Sequence, residues 1–258
     1  MNSTPAPQPG DSYVQSFARG LQVIRSFSAE APQQTLTEVA GRSSLTRAGA
    51  RRILLTLQTL GYVESDGRHF RLTARILDLG FAYLSSLPLW NLAEPLMESL
   101  VEEVKESSSA AVLEGQDIVY VLRVPTHKIL SIGLGVGSRL PAYCTSMGRV
   151  LLAALPDDEV RRRLQASPLR ALTRHTATDP DTVLARIQQV RRQGWSIVNQ
   201  ELEEGLLSLA APITDRGGRV IAALNLSGQA NRTSAKVAQD TLLPPLLRAA
   251  QAISARLR

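Results

Sequence analysis

Apolar residues recur at intervals of three and four along the first quarter of the chain, which is the spacing that amphipathic helices require. This periodicity predicts one helix over residues 16–28 and a shorter one over residues 36–42. A third helix is predicted between Thr46, whose hydroxyl suits an N-cap, and Gly61, which suits a helix end. Three helices therefore precede the first predicted strands.

A hairpin is predicted to follow the third helix. Residues 62–64 and 69–72 alternate between apolar and polar side chains, and the Asp66-Gly67 dipeptide between them is typical of a tight antiparallel turn. Three helices followed by a hairpin are the element order of a winged helix-turn-helix, which we expect over residues 13–72. Residues 1–12 contain no apolar run and are predicted to be disordered.

The third helix is predicted to have one apolar face and one basic face, because successive residues turn by about 100°. The apolar set consists of Ala50, Ile53, Leu54, Leu57 and Leu60. Arg47, Arg51 and Arg52 lie on the opposite face, and no acidic residue occurs between Val39 and Val63. We expect these arginines to contact DNA bases or phosphates, with Thr46 and the first-turn amides meeting a phosphate. The alternative is a helix face that is merely solvated.

The hairpin carries its own basic side chains. Arg68, His69 and Arg71 alternate with Phe70 and Leu72, so the polar set is predicted to face outward. Arg68 and Arg71 are therefore candidates for contact with the DNA backbone or minor groove. A solvated hairpin without DNA contacts is the alternative.

Residues 73–87 are predicted to form a linker helix that is unusually apolar. Its charged residues are Arg75 and Asp78, and its apolar stripe consists of Ile76, Gly80, Tyr83, Leu84 and Leu87. Because so apolar a helix is rarely left in water, we expect it to pack against a partner.

The remaining residues, 88–258, predict an effector-binding α+β domain with a mostly antiparallel sheet. Helices are predicted over residues 91–107, 146–154, 157–165, 182–193 and 234–258, the last interrupted by a Pro-Pro pair. Strands are predicted over residues 109–113, 118–124, 129–134, 195–199, 206–213 and 220–227. Helices and hairpins alternate, and no internal repeat is present.

Composition excludes several classes of protein. The chain has 258 residues, a net charge of +6 and a single cysteine, Cys144, which excludes an intrachain disulfide framework. No apolar run is long enough to cross a membrane, and no signal-peptide pattern begins the chain, so a cytoplasmic protein without membrane contact is predicted. His127 and His175 are isolated, so no metal site and no cofactor is expected. Cys144 is expected to be a buried, small apolar residue.

Four segments together resemble the IclR family of bacterial regulators. They are YVQSFARGLQVIRSF at 13–27, LTRAGARRILLTLQTLGYV at 45–63, RLPAYCTSMGRVLLA at 139–153 and GWSIVNQELEEGLLSLAAPITDRGGRVIAALNLSG at 194–228. The resemblance covers nearly the whole chain. It implies a GAF-like sensory domain behind the winged helix-turn-helix, and dimers that assemble into tetramers.

A narrower resemblance concerns ILDLGFAYLSSLPLW at 76–90 together with VGSRLPAYCTSMGRVLLA at 136–153. Both look like the branch of the family that controls protocatechuate, 4-hydroxybenzoate and β-ketoadipate catabolism. That branch implies a regulator that binds a double-stranded DNA operator and responds to one of these three carboxylates. β-Ketoadipate is slightly favoured, because the expected pocket offers many hydroxyl and amide donors and little aromatic stacking surface.

Candidate effector contacts follow from chemistry and from this resemblance. Arg123 and Arg139 are candidate carboxylate partners, because a guanidinium can grip a carboxylate with two hydrogen bonds. Either could instead pair with an acidic residue of the fold. The resemblance places Tyr143, Thr145, Ser146 and Met147 in the effector loop, and Ser208, Asn225 and Ser227 on two strands that line the pocket.

Two positions depart from the pattern of related sensors of small 2-oxo acids. Those sensors resemble this chain but carry an acidic side chain in place of Val198 and a cysteine in place of Ser208. The departure argues against glyoxylate or pyruvate as the effector.

An enzyme is the main competing function. Ser146 occurs in Thr-Ser-Met-Gly, which is not the G-x-S-x-G motif of a nucleophile elbow, and no carboxylate pair or phosphate-binding loop stands in the right context. A second alternative is an architectural DNA-binding protein, which would bind any sequence and ignore small acids. We therefore expect a regulator rather than an enzyme.

Overall fold

The computed structural model describes residues 10, 13–85, 89–126, 134–166 and 168–257, apart from the side chain of Leu84. The chain divides into two compact units, residues 1–86 and 87–258. Several predicted features lie outside the described residues. They are the disordered segment 1–12 except Gly10, Leu87 of the linker stripe, His127, and the strand 129–134 except Leu134.

The first unit has the predicted winged helix-turn-helix order with one extra strand. Its elements are α1 (Gln15–Arg25), β1 (Gln33–Thr35), α2 (Leu36–Arg42), α3 (Arg47–Thr59), β2 (Val63–Ser65) and β3 (His69–Leu72). The three strands form an antiparallel sheet in the order β1-β3-β2. Strand β1 was not predicted, because its residues Gln-Gln-Thr show no apolar alternation.

Side-chain caps begin the two helices of the helix-turn-helix. Thr35 and Glu38 form a capping box at the start of α2. The Thr46 hydroxyl accepts a hydrogen bond of 3.1 Å from the backbone N–H of Gly49, as predicted for the N-cap of α3. The core beneath these helices is formed by Val23, Val39, Ala40, Ala50, Leu54, Leu57 and Val63.

The predicted apolar face of α3 is wrong at its last position. Leu60 is the C-cap of α3 and is 50% exposed. The prediction placed Leu60 by continuing the 100° helical rotation beyond Thr59. Because the helix ends at Thr59, that rotation does not give the position of Leu60. Leu55, which lies beside the basic face of α3, is also exposed, and so are the apolar side chains of Phe17 and Leu21 on α1.

The predicted linker helix consists of two pieces. A short 3-10 helix (Ala74–Ile76) is capped by Thr73 and leads into α4 (Leu77–Ser85). The large apolar side chains of α4 that the structure describes are all exposed within their own unit: Leu77, Leu79, Phe81 and Tyr83.

The second unit is an α+β domain built on one antiparallel sheet of six strands in the order β6-β5-β4-β9-β8-β7. Its strands are β4 (Ser107–Glu114), β5 (Asp117–Val124), β6 (Arg139–Pro141), β7 (Ser196–Asn199), β8 (Leu206–Thr214) and β9 (Val220–Gln229). Its helices are α5 (Leu89–Val104), α6 (Ser146–Ala153), α7 (Asp157–Gln165), α8 (Pro180–Gln193), α9 (Ala235–Thr241) and α10 (Leu243–Arg256), with a short 3-10 helix (Ala142–Cys144) before α6. The predicted fold class is confirmed.

Helix α6 is the central helix of this domain. Every one of its residues is buried, and it packs on β8, β9 and α8. Helix α10 packs on β8 and on α5. The sequence analysis predicted one interrupted helix at the C-terminus, and the structure has two, because Pro244 and Pro245 occupy the first turn of α10, where a missing N–H costs nothing. In the described part of the chain, no helix combines the length and the apolarity needed to cross a membrane.

Candidate functional site

The exposed face of α3 carries the predicted DNA-contacting arginines. Arg47, Arg51 and Arg52 are all exposed. Within the described residues, none of them pairs with a carboxylate, whereas many other arginines of the chain do. Their guanidinium groups are therefore available to an anionic partner, and the N-cap Thr46 lies at the same end of the helix.

The two wing arginines differ from each other. Arg68 is exposed at the hairpin turn, and no carboxylate of the described chain pairs with it. Arg71 donates from Nε to the Glu64 carboxylate over 2.6 Å, and both side chains are more than half exposed. A surface pair of this kind contributes little free energy, so Arg71 can exchange Glu64 for a phosphate at small cost.

The turn of the wing is held by Asp66. Its carboxylate accepts hydrogen bonds from the backbone N–H groups of His69 and Arg68, and these bonds lower the pKa of Asp66 to about 2. The hairpin is therefore ordered by its own side chain, in the manner expected of an Asp-Gly turn.

A cavity of about 310 Å³ lies in the second unit, close to the lower end of the size range of small-molecule sites. It is bounded by the start of α6, by strands β4, β5, β8 and β9, and by the loop of residues 200–205 between β7 and β8. Seven of the nine predicted effector contacts line it: Arg123, Thr145, Ser146, Met147, Ser208, Asn225 and Ser227.

A cluster of hydroxyls and one amide forms the polar part of the lining. The orientation of Asn225 is fixed, because its Oδ1 accepts from the backbone N–H of Ser109 over 2.8 Å. Its Nδ2 donates to Ser208 Oγ over 3.2 Å and to Ser227 Oγ over 2.9 Å. Ser208 Oγ in turn donates to the carbonyl of Leu226 over 3.1 Å.

This arrangement leaves one hydroxyl proton free for a ligand. Ser146 Oγ and Ser227 Oγ lie 2.8 and 3.2 Å from Ser208 Oγ. A hydroxyl oxygen accepts two hydrogen bonds, and Asn225 supplies one of those at Ser208. Only one of the two serines can therefore donate to Ser208, and the other retains a proton for an acceptor inside the cavity.

Among the described residues, the lining has one cationic side chain, Arg123, which lies on β5 and is half-buried. No carboxylate of the described chain pairs with it. Tyr120, also on β5, is the one aromatic side chain among the described lining residues, and burial raises the pKa of its hydroxyl to about 12. The described lining thus combines one positive charge, the carboxyl groups of Glu203 and Glu204, a neutral phenol and a cluster of hydroxyls.

The structure does not bring Arg139 to the cavity. Arg139 begins β6 at the edge of the sheet, where it donates to Glu114 over 3.1 Å and to Asp117 over 3.3 Å. The pairing with acidic residues of the fold, left open above, is the arrangement found. The reason is the register of β6, which sets Arg139 beside the acidic turn between β4 and β5.

Tyr143 is the second predicted contact that does not line the cavity. It belongs to the 3-10 helix before α6, and its hydroxyl donates to the carbonyl of Arg170 over 2.5 Å. The hydroxyl is therefore engaged within the fold. Thr145 does line the cavity, but its Oγ1 accepts from the N–H of Gly148 and caps α6.

Several lining residues were missed by the sequence analysis as contacts. They are Ser107, Ser109, Tyr120, Leu134, Cys144, Val198, Leu202, Glu203, Glu204, Gly205, Leu206, Gln229 and Asn231. The run Ser107–Ser109 at the start of a predicted strand was a usable signal, because three buried serines need partners. The loop of residues 200–205 offered none, since its approach to the cavity depends on the hairpin between β7 and β8.

Two family models match the chain and together span most of it. Residues 16–67 match the IclR helix-turn-helix domain, and residues 81–255 match the bacterial transcriptional regulator IclR C-terminal domain. The second match alone covers more than half of the chain and contains the whole cavity lining.

Relatives and solved structures agree with these matches. The chain is 45% identical over 240 residues to the Pca regulon regulatory protein of Pseudomonas putida, covering 93% of this chain and 82% of that protein. A transcriptional regulator from Rhodococcus sp. RHA1 superposes with a TM-score of 0.86 at 49% identity, covering 95% of this chain and 98% of that one. An IclR homolog from Microbacterium hydrocarbonoxydans, crystallised with 4-hydroxybenzoate, superposes with a TM-score of 0.83 at 27% identity over 94% of this chain and 99% of that one. With its basic α3 in a winged helix-turn-helix and its cavity-bearing second domain, the chain belongs to the IclR family of transcriptional regulators.

Proposed function

We propose that the chain controls genes of aromatic-acid catabolism and that a small organic acid, bound in the cavity, regulates its binding to an operator. In this proposal residues 13–72 contact DNA, residues 73–87 link the two parts, and residues 88–258 bind the effector. The protein is a regulator and not an enzyme. The observation that carries the proposal is Arg123, which has no carboxylate partner among the described residues and lines a cavity that also holds a cluster of hydroxyls.

Arg123 is the proposed partner of the effector's carboxylate. A half-buried guanidinium without a counter-ion is costly, and a bound carboxylate supplies the missing charge through two hydrogen bonds. The exposed arginines elsewhere in the domain mostly have carboxylates of the fold already, as Arg139 does. This contrast is why Arg123, and not Arg139, is assigned to the ligand.

The far end of the effector meets the hydroxyl cluster. The free proton of Ser146 or Ser227 suits an acceptor such as a phenolic oxygen, a ketone or a second carboxylate. Tyr120 offers the cavity a second hydroxyl, which burial keeps in its neutral, donating form. Met147 and Val198 supply apolar contact for a ring or an alkyl chain.

Two features of the lining distinguish the three candidate acids. One favours β-ketoadipate, and the other favours the aromatic acids. Tyr120 provides the only aromatic surface of the described lining, which favours the open-chain β-ketoadipate over protocatechuate and 4-hydroxybenzoate. Glu203 and Glu204 also line the cavity, and their charges oppose a dianion. Because a similar protein was crystallised with 4-hydroxybenzoate, the test must also include the aromatic acids 4-hydroxybenzoate and protocatechuate.

The DNA-binding half of the proposal rests on α3 and on assembly. Thr46, Arg47, Arg51 and Arg52 contact the major groove or its phosphates, and Arg68 and Arg71 contact the backbone from the wing. A second copy of the chain covers the exposed apolar side chains of α4, so that the two DNA-binding domains of a dimer bind one symmetric operator. Two such dimers form the proposed homotetramer.

Regulation requires that the acid bind the DNA-competent and DNA-incompetent states with different affinity. The test has two parts. Wild-type protein is titrated with β-ketoadipate, protocatechuate and 4-hydroxybenzoate by calorimetry, and its affinity for a DNA fragment selected from a random library is then measured with and without the acid that binds. Binding of one acid that changes the DNA affinity is expected. If none of the three acids binds, or if a bound acid leaves DNA affinity unchanged, the proposed regulation is wrong.

A further inference from the structure

A buried ion pair lies directly behind the cavity. The side chains of Arg149 and Glu201 are only 3% and 6% exposed, and Arg149 donates from Nη2 to the Glu201 carboxylate over 2.7 Å. The same carboxylate accepts from the backbone N–H of Ala177 over 3.2 Å and from Arg186 over 2.8 Å. Neither Arg149 nor Glu201 lines the cavity.

The two residues belong to two different segments that each contribute residues to the cavity lining. Arg149 lies on α6, whose first residues Ser146 and Met147 face the cavity, and its Nε also donates to the carbonyl of Tyr143 over 3.0 Å. Glu201 lies in the loop of residues 200–205. The five residues that follow Glu201, residues 202–206, all line the cavity. The ion pair therefore joins the wall formed by α6 to the wall formed by this loop.

Further hydrogen bonds fix the loop at the position of Glu201. The hydroxyls of Thr173 and Thr176 donate to the carbonyls of Gln200 and Glu201, each over 2.6 Å. Gln200 has a left-handed backbone conformation with a φ of 60°, which residues other than glycine rarely adopt. The surrounding contacts must therefore stabilise this conformation. These contacts hold the loop at its start. Its end is tied back to the start, because the N–H of Gly205 donates to Gln200 Oε1 over 3.0 Å and the N–H of Gln200 donates to the carbonyl of Leu206 over 2.7 Å.

Stability alone is a weak reason for such a pair. Removing two charges from water is expensive, and a buried ion pair replaced by apolar residues of similar volume often leaves a protein equally stable or more so. What an apolar pair does not provide is a fixed direction, because guanidinium and carboxylate bond only in a defined geometry. A role in setting the position of the loop uses that property.

We propose that Glu201 is a positioning residue for the effector cavity, fixing the loop of residues 202–206 against α6 through Arg149 without touching the ligand. The inference rests on the proposed function of the cavity as the effector site. It predicts that breaking the pair widens or loosens the cavity wall before it unfolds the domain.

The chain contains its own reporter of that wall. Cys144 is the single cysteine of the sequence; it is buried and lines the cavity. Burial raises the pKa of its thiol to about 12, so the folded protein reacts slowly with thiol reagents near pH 8. The charges of Arg149 and Glu201 also act on this pKa, in opposite directions, so faster labelling of Cys144 below the melting temperature reports opening of the wall most directly in a variant that lacks both charges. No ligand is needed for this measurement.

The experiment compares Glu201→Gln with Glu159→Gln. Glu159 also pairs with two arginines, Arg162 and Arg163, but it lies on α7 and does not line the cavity. Glu201→Gln is expected to speed labelling of Cys144 by 5,5′-dithiobis(2-nitrobenzoate) about tenfold. It is expected to weaken binding of the acid that the wild type binds by a similar factor, on the order of the smallest losses that metal sites show when a ligand loses its supporting hydrogen-bond partner. Glu159→Gln is expected to change neither.

A second variant separates positioning from folding. In Arg149→Met/Glu201→Met the uncompensated charge is absent, so the domain is expected to melt near the wild-type temperature while Cys144 still labels fast. If Cys144 labels at the wild-type rate in folded Glu201→Gln and in the double variant, the pair has only a structural role and the inference is overturned. If none of the acids binds the wild type, the proposed function fails, whereas the labelling rates still decide the role of Glu201.

Discussion

Gly148 lies so close to Ala142 that a Cβ atom on Gly148 would stand 2.1 Å from the Ala142 carbonyl oxygen. The same Cβ would lie 2.5 Å from Oγ1 of Thr145, the cap of α6. The contact lets α6 begin directly against the 3-10 helix that precedes it. Because Ser146 and Met147 lie in this first turn of α6, the glycine also determines where these two cavity residues stand.

Gly148→Ala is expected to destabilise the second domain by about 1–3 kcal/mol, because backbone atoms of Ala142 must shift to admit the methyl group. Urea denaturation followed by circular dichroism measures the change. Gly135→Ala is the control, since a Cβ there meets no atom within 4 Å, and its effect should stay within about 0.5 kcal/mol. Equal midpoints for wild type and Gly148→Ala would show that the turn relaxes freely.

Arg51→Ala and Arg52→Ala are expected to weaken binding to a DNA fragment selected by the wild-type protein. Each should cost about 1–3 kcal/mol if the guanidinium contacts a base, with specificity lost at one position. If it contacts a phosphate, affinity should fall for all sequences and the salt dependence should become shallower. Gel-shift titrations at two salt concentrations distinguish these cases.

Arg192→Ala is the matched control for these variants, because Arg192 is an exposed arginine at the end of α8 in the second domain. Its removal lowers the net charge by the same amount, and DNA affinity should change little. The assignment of α3 fails if Arg51→Ala and Arg52→Ala both bind the fragment as tightly as Arg192→Ala does.

Arg123→Met is expected to weaken binding of the effector by about 1.5–3 kcal/mol, the usual contribution of a hydrogen bond to a charged group. Arg139→Met is the control, since Arg139 pairs with Glu114 and Asp117 outside the cavity. Calorimetry with the acid that binds the wild type gives both constants. Undiminished binding to Arg123→Met would mean that another group holds the carboxylate.

The sequence was sufficient where local chemistry decides structure. The N-cap at Thr46 and the Asp66-Gly67 turn follow from one or two residues and their neighbours, and both are found as predicted. The first helix of the helix-turn-helix also begins and ends at the predicted residues, Leu36–Arg42, because a capping box marks its start.

The sequence was insufficient where distant segments meet. Whether Arg123 or Arg139 reaches the cavity depends on the register of β5 and β6, and the two arginines are chemically identical. Residues 202–206 line the cavity, and the neighbouring Glu201 pairs with Arg149, which lies 52 residues earlier. No periodicity or local motif encodes such a contact.

Phe81→Glu is expected to disrupt assembly. Phe81 is 68% exposed on α4, among Leu77, Leu79 and Tyr83, so a second copy that covers this helix would bury the new carboxylate at a cost of several kcal/mol. Sedimentation velocity should show a smaller species than the wild type. Asp78→Ala on the same helix is the control and should leave the oligomer intact. An unchanged sedimentation coefficient for Phe81→Glu would place the interface elsewhere.

The buried thiol of Cys144 makes stability depend on alkaline pH in a way that a single variant isolates. Burial raises its pKa from 9.0 to about 12 in the folded protein, so the neutral form is favoured by folding. That contribution is fully present below the unfolded pKa, near 9, and is lost as the pH rises towards 12, because the unfolded thiol ionises first. The loss is at most about 1.4 kcal/mol for each pH unit in this window.

Cys144→Ala removes this ionisation and leaves every other titrating group in place. Near pH 8 the variant should be less stable than the wild type by about 1 kcal/mol, because a buried side chain has been shortened. Above pH 9 the wild type loses stability through its thiol and the variant does not, so the difference between their free energies of unfolding should shrink and then change sign. Urea denaturation at pH 8, 9 and 10 measures that difference. A constant difference across the three pH values would mean that the thiol ionises as readily in the folded protein as in the unfolded chain, and therefore that the cavity wall around Cys144 admits water.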